Sequence, residues 1–401
     1  MTREFDAEVV VVGGGPVGLV AGLLLARDGV SVAVVEKSAE VETDLRASTF
    51  HPPTLDMLDT LGLGQVLISQ GLVCPQWQVR LHPGGDRVVF DLGVLAGATR
   101  HPYRVQCEQW KLARAAHEAL LKEPTASVRF GQEVANFAED DDGVTLTLNG
   151  DARQTTFRAR YVIGADGARS TIRHRIGFPF EGETYPETTL LVTTTFPFEE
   201  HLEGLTNIAY CWKEGGNFSL LRVPGRWRVS IYPREDQSID EQLTAPAIEA
   251  QLQTIVPRSE RYEVLEKRPY RVHKRIVPNY YRGRIALAGD AAHVNSPSGG
   301  MGLNGGLHDA FELVAALRDI RRGVSRAARF DLYERRRRPV ALEQIISQAD
   351  ANRARMREKD PARRREILDG LKAIAADRDR LEAHLLKTSM IAGLRQAAVV
   401  N

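Results

Sequence analysis

Cysteine is scarce in this chain. Its three residues, Cys74, Cys107 and Cys211, lie far apart and are odd in number. With no CxxC or HxxxH spacing, neither a disulfide framework nor a metal site is indicated, and the thiols are expected free in a reducing compartment. An excess of either charge is also missing. Lys plus Arg is 53 and Asp plus Glu is 52, a net charge of +1. That balance gives no electrostatic reason to expect nucleic acid or an anionic membrane as partner. One uncharged run, Val9–Ala26, is apolar enough to consider and close to the length of a membrane span. Three consecutive glycines and Pro16 in its middle do not suit a spanning helix. A buried strand, a glycine turn and a buried helix explain it better. Thr2–Glu8 is short and acidic on balance, unlike a signal peptide, so the expected location is the cytoplasm. Internal repeats and low-complexity tracts are absent as well.

What is present is ordinary for a globular protein: 43% hydrophobic and 26% charged residues. Its 401 residues suffice for two to three units of roughly 100–200 residues each. Glu8–Val12, Pro16–Gly29 and Ser31–Glu36 read as strand, helix, strand, a βαβ unit. Helical spacing returns at Leu55–Leu63 and Glu108–Leu121. Alternation marks Gly143–Leu148, and Tyr161–Ile163 is a buried strand running into Gly164. Between residues 185 and 270, short alternating runs separated by turns (Thr189–Thr195, Asn217–Val223, Trp227–Tyr232) predict an inserted antiparallel sheet. Arg284–Leu287 is a last buried strand, followed by a glycine-rich loop and a helix from about Gly305. Beyond Phe330 the chain is helical and charged. Its basic runs Arg335–Arg338 and Arg363–Arg365 contain interspersed acids nearby and read as solvated helix faces.

The chemistry concentrates in glycine-containing loops after strands. Gly13-x-Gly15-x-x-Gly18 follows a strand and opens a helix that begins Pro16-Val17. Gly13 permits the tight turn, Gly15 lets backbone approach a diphosphate, and Gly18 allows close packing of helix on strand. The helix N-terminus favours the anion. Glu36, followed by Lys37, ends the second strand about twenty residues on, where an acid accepts from ribose hydroxyls. An acid there favours FAD or NAD over NADP. Gly300-x-Gly302-x-x-Gly305 fits the same expression but follows a loop, so it is not a second fingerprint.

Two further segments carry a family resemblance. Arg160–Ser170, with Asp166-Gly167 at its centre, resembles the Asp-Gly motif of class A flavoprotein monooxygenases. Ala288-Gly289-Asp290-Ala291-Ala292-His293, with Pro297 and Gly302-Leu303-Asn304 after it, is similar to that family's Gly-Asp motif and flavin loop. Three motifs in order cover residues 8 to about 310 and resemble the p-hydroxybenzoate hydroxylase fold. The likeness continues weakly through Tyr333-Glu334-x-x-Arg337. It implies an α/β protein with a Rossmann-like FAD-binding domain, an inserted antiparallel β-sheet substrate domain and a helical C-terminus. The expected boundaries are 1–75, 101–184 and 271–340 for FAD, 76–100 and 185–270 for substrate, and 341–401 for the C-terminal helices.

The same resemblance implies roles. FAD is expected on Gly13, Gly15, Pro16, Val17, Gly18, Glu36, Lys37, Arg46, Gln106, Asp166, Arg169, Gly289, Asp290, Gly302, Leu303 and Asn304. Asp290 would accept from ribityl hydroxyls, with a helix cap as its alternative role. Asp166 and Arg169 would organise flavin and a transient nicotinamide, or only their own turn. Pro297 would line the flavin near its oxygen-reactive carbon. His293 invites an acid–base role, with packing beside the flavin as the alternative. From strand periodicity, Tyr210, Trp212, Arg222, Arg228 and Tyr232 are candidates for the substrate wall, because rings pack an aromatic substrate and a guanidinium pairs an acid. The implied reaction hydroxylates a phenolic or heteroaromatic, acidic small molecule, using NADH or NADPH and O2 through a flavin C4a-hydroperoxide. A flavin reductase of isoprenoid double bonds and a non-catalytic binding protein of this fold are the alternatives. The sequence leaves room for a homodimer.

Overall fold

The structure, a computed structural model, describes residues 4–43, 47–150, 153–232 and 238–401, the Glu187 side chain excepted. One sheet runs in the order Tyr281–Arg282, Ile285–Leu287, Gln154–Gly164, Ala7–Val12, Val32–Val35 and Ala126–Arg129. All but the first of these are parallel. Val9, Val10, Val11 and Val12 are all buried, as are Val32–Val35. Such unbroken β-branched runs belong to strands covered on both faces. Pro16–Arg27 packs between Gln109–Leu120 and Gly302–Arg321 on one side of this sheet. Glu133–Glu139 and Val144–Asn149 extend Gln154–Gly164 as an antiparallel meander.

A second sheet takes strands from three parts of the chain. Its order is His293–Val294, Val264–Ile276, Glu181–Thr194, Arg226–Ile231, Gly216–Val223, Ile208–Lys213, Gln76–Leu81 and Arg87–Asp91. Alternation divides its faces. Phe218, Leu220, Trp227, Val229 and Ile231 bury against Phe198, Ile248 and Leu252 of the helices Phe198–His201 and Ala245–Gln253. On the opposite face, Trp77, Phe90 and Trp212 pack on Met356, Leu368, Leu371 and Leu385 of the C-terminal helices. A small third sheet, Thr49–Phe50, Arg104–Gln106 and Leu72–Cys74, completes the strands named here.

Two expectations are corrected and one helix start is sharpened. The helix expected over Leu55–Leu63 is two helices, Pro52–Asp59 and Leu63–Gln70, separated at Gly62, whose φ of 67° is left-handed. The helix expected from about Gly305 begins at Gly302. The basic runs are not simply solvated. Arg337 is 1% exposed and donates to Asp309 Oδ1 at 2.7 Å. Arg364, also buried, donates to the carbonyls of Lys213 and Gly216 at the end of a hairpin. An arginine fork can satisfy several carbonyls at once, which makes such burial tolerable.

Candidate active site

Val12, Gly164 and Leu287 lie side by side in register at the carboxyl ends of three neighbouring parallel strands. The three motifs are the residues that follow. This is where open α/β sheets bind ligands. Ala165 N–H donates to Val12 O and Ala288 N–H to Gly164 O, carrying the row one residue beyond the sheet. Gly13 has φ 115°, and a β-carbon there would lie 2.3 Å from Ala165 O. At Gly18 a β-carbon would lie 2.0 Å from Gly13 O. At Gly15, by contrast, it would meet nothing within 4 Å. Two glycines therefore serve packing, while Gly15 faces open space.

That space is a cleft of about 490 Å³, lined among others by Gly13–Pro16, Glu36, Lys37, Trp110 and Asp166–Arg169. The Glu36 carboxylate accepts from Gly14 N–H at 2.6 Å and Ser38 N–H at 2.8 Å, which fixes it at the rim of the cleft. Backbone donors at the start of Pro16–Arg27, an acid 20 residues on and a groove this size suit the adenosine diphosphate half of FAD. Asp166 accepts from Ser170 Oγ and Ile172 N–H, so it holds its own turn while lining the cleft; burial raises its pKa. Arg169 is exposed at the same edge. Arg173 donates to Ala291 O and Ala168 O, which ties the Asp166 turn to the Asp290 turn.

Gly289 has φ 61°, with Val17 and Gly306 against it, so the first and third motifs touch. Asp290 is exposed in the short helical turn Gly289–Ala291. Farther along, Pro297 is exposed in the loop before Gly302, and Leu303 packs partly on the core. Asn304 is fully buried. It accepts from His51 N–H and donates to Thr49 O and Gly300 O, which fastens the loop to residues 49–51. Gln106 joins the same seam: it accepts from Ser48 Oγ at 3.1 Å and donates to Thr49 Oγ1 at 3.0 Å. His293 does not stand free as a base. Its Nε2 lies 2.8 Å from Asp309 Oδ2, and its ring stacks with Tyr280. Arg337 holds the other Asp309 oxygen, and Gly289 N–H also donates to this carboxylate. Burial alone would raise the pKa of Asp309, but His293 and Arg337 bring it down to about 2. The geometry thus favours the packing role of His293. Arg46 lies outside the described residues.

A family model described as an FAD binding domain matches residues 6–349. The chain belongs to that FAD-binding family. It is 33% identical to para-nitrophenol 4-monooxygenase of Pseudomonas sp. (strain WBC-3), an alignment covering 96% of each. It is 30% identical to 6-hydroxy-3-succinoylpyridine 3-monooxygenase HspB of Pseudomonas putida, over 93% of this chain and 95% of the relative. The crystal structure of p-nitrophenol 4-monooxygenase PnpA from Pseudomonas putida DLL-E4 superposes with a TM-score of 0.90, over 98% of this chain and 99% of that one, at 33% identity. The chain is an FAD-dependent aromatic monooxygenase.

In this monooxygenase the substrate candidates divide between the faces of the second sheet. Arg222 needs correction. It shares a face with Phe218 and Leu220, ion-pairs with Glu199 and stacks on Trp227, on the side of the helices Phe198–His201 and Ala245–Gln253. Trp212 is corrected likewise: it is fully buried among the C-terminal helices, and its Nε1 donates to Arg355 O. Tyr232 lies just beyond its strand, half-buried. Arg228 is 4% exposed and donates to Ser48 Oγ at 2.7 Å, which links the inserted sheet to Ser48 and Gln106. Tyr210 is half-buried with its ring edge on Trp77. Arg104, two residues before Gln106, was missed by sequence reasoning. Its signal was there: it alternates in step with Gln106 on a short strand.

Proposed function

We propose that this monooxygenase hydroxylates a small single-ring phenol, or a hydroxylated pyridine, with NADH or NADPH as reductant. The observation that carries this is the seam Arg228–Ser48–Gln106–Thr49–Asn304, which joins the inner face of the inserted sheet to the flavin segments through buried hydrogen bonds. A buried polar face suits a compact ring bearing oxygen substituents, and the relatives named above act on compact oxygenated rings by their names. Bound FAD supplies the redox chemistry with O2. This chain's residues do the rest. Gly13–Gly18 and Glu36 bind the adenosine diphosphate. Asp290 receives ribityl hydroxyls. The N-terminus of Gly302–Arg321 would present N–H groups and its positive dipole end to bound flavin, where negative charge is stabilised. Arg228 orients substrate, and the sheet and C-terminal helices exclude water. The test is a screen of phenols and hydroxypyridines for stimulated NADH or NADPH oxidation with matched oxygen uptake. Oxidation coupled to a reduced double bond, without oxygen uptake, would replace this reading with a reductase.

A further inference from the structure

One buried cation plays no part in the site so far. Arg104 is 3% exposed and lies on the same side of its strand as Gln106. Pairing of that strand with Thr49–Phe50 brings His51 beside it, one step along the register. Its guanidinium lies 5.3 Å from the centre of the Trp77 ring. One Nη reaches Thr388 O at 3.4 Å, and its Nε has no hydrogen-bond partner among the described residues.

Among the described residues, no carboxylate offsets the Arg104 charge. Burial pushes the Cys74 thiol up to about 11. His51 is held neutral by burial and by Arg104 itself, and His384 is held at about 4 by burial and the neighbouring arginines. Arg355 adds a second, half-buried cation beside Tyr210, its Nε also without a partner among the described residues. Burial lowers the pKa of Arg104, and only Tyr210 and Cys74 offset this. A cation taken out of water without a counter-charge is strongly disfavoured, so a site that keeps one is built for an anion that arrives with the ligand. The walls are aromatic: Trp77 stacks with Phe90 and His384, and Tyr210 meets Trp77 edge-on.

Resting on the reading of the substrate as a phenol, we propose that Arg104, with the Tyr210 hydroxyl, holds the anionic oxygen of the ring substrate. The phenol is taken up as phenolate, its proton left to bulk water. Negative charge on that oxygen raises ring electron density, which attack by an electrophilic oxygen requires.

The FAD-loaded enzyme can be tested with p-nitrophenol, whose phenolate absorbs in the visible. In a buffer below the free phenol's own pKa, the wild type should hold the dye ionised. Arg104→Met should lose the bound phenolate band and weaken binding roughly 100-fold, with nitrobenzene binding unchanged and Arg104→Lys restoring part of the band. FAD content and melting temperature report folding. Should Arg104→Met not fold, Tyr210→Phe decides by the same absorbance, with a smaller loss expected. Equal ionisation and affinity in the folded variant would overturn the assignment. A wild type that binds no phenol would instead overturn the substrate reading, and this assignment with it.

Discussion

At Gly15 a β-carbon would meet no protein atom within 4 Å, whereas at Gly18 it would lie 2.0 Å from the Gly13 carbonyl. The two glycines of one motif therefore predict opposite failures. Gly15→Val should fold, since its φ of −77° is open to any residue, yet purify with FAD occupancy reduced on the order of tenfold or more. Gly18→Ala should lose about 1–3 kcal/mol of stability through overpacking, read from urea midpoints. A fully flavinated Gly15→Val would contradict the diphosphate assignment. Asp290→Ala should keep the fold and weaken FAD by roughly 1.5–3 kcal/mol in a flavin titration, the value of a hydrogen bond to a charged group. Unchanged affinity would make Asp290 a cap only. Arg222 and Arg228 make a third contrast. Arg222→Met removes a half-exposed pair with Glu199, which costs no more than about 1 kcal/mol, and should leave KM unaltered. Arg228→Met should raise KM for the ring substrate, because that side chain is buried at the seam. Equal KM values in the two variants would remove Arg228 from the site.

Periodicity showed which residues share a face of a strand, but not which face meets the flavin. Arg222 follows Phe218 and Leu220 in strict alternation, so it goes wherever they bury, and helices distant in the chain decide that. The helix Gly302–Arg321 has a similar limit. It opens without a side-chain cap at Met301 amid glycines, so no capping residue marked its first turn in the sequence. Motifs that follow a strand end were legible because their chemistry is local. Asp309 was not, because its partners His293 and Arg337 flank it at a distance along the chain. This helix also sets a pH response. His308 is buried against Thr54 and held at about 3, below its ordinary 6.5, because burial penalises the charged form. Its folded pKa is depressed, so the stability it contributes is complete above about 6.5 and lost as pH falls toward 3. Asp309, at about 2 against an ordinary 3.8, adds about 2 kcal/mol that is lost between those two values. Urea midpoints should fall continuously as pH drops below 6.5. Asp309→Asn should cost roughly 3–5 kcal/mol at neutral pH, since it leaves Arg337 buried without its counter-charge. A flat profile, or a neutral Asp309→Asn variant, would refute this network.

Across the whole molecule, segments far apart in the chain meet at one seam. Residues 48–51, Gln106, Arg228 and Asn304 come from four separate stretches, and the C-terminal helices close over the inserted sheet beside them. The order of the three flavin motifs was readable in advance, and so was an antiparallel insertion between them. The burial of Arg337 and Arg364 was not, because charged runs look alike in sequence whether they face water or carbonyls. The match to para-nitrophenol 4-monooxygenase runs nearly end to end, so the C-terminal helices belong to the shared architecture. This architecture inserts an oxygen atom into an aromatic ring. The most direct test gives FAD-loaded protein a phenol, NADH or NADPH, and isotopically labelled oxygen gas, then weighs the product. The expected product carries one labelled oxygen atom on the ring; a ring recovered without label while the nicotinamide is consumed would overturn the hydroxylase assignment.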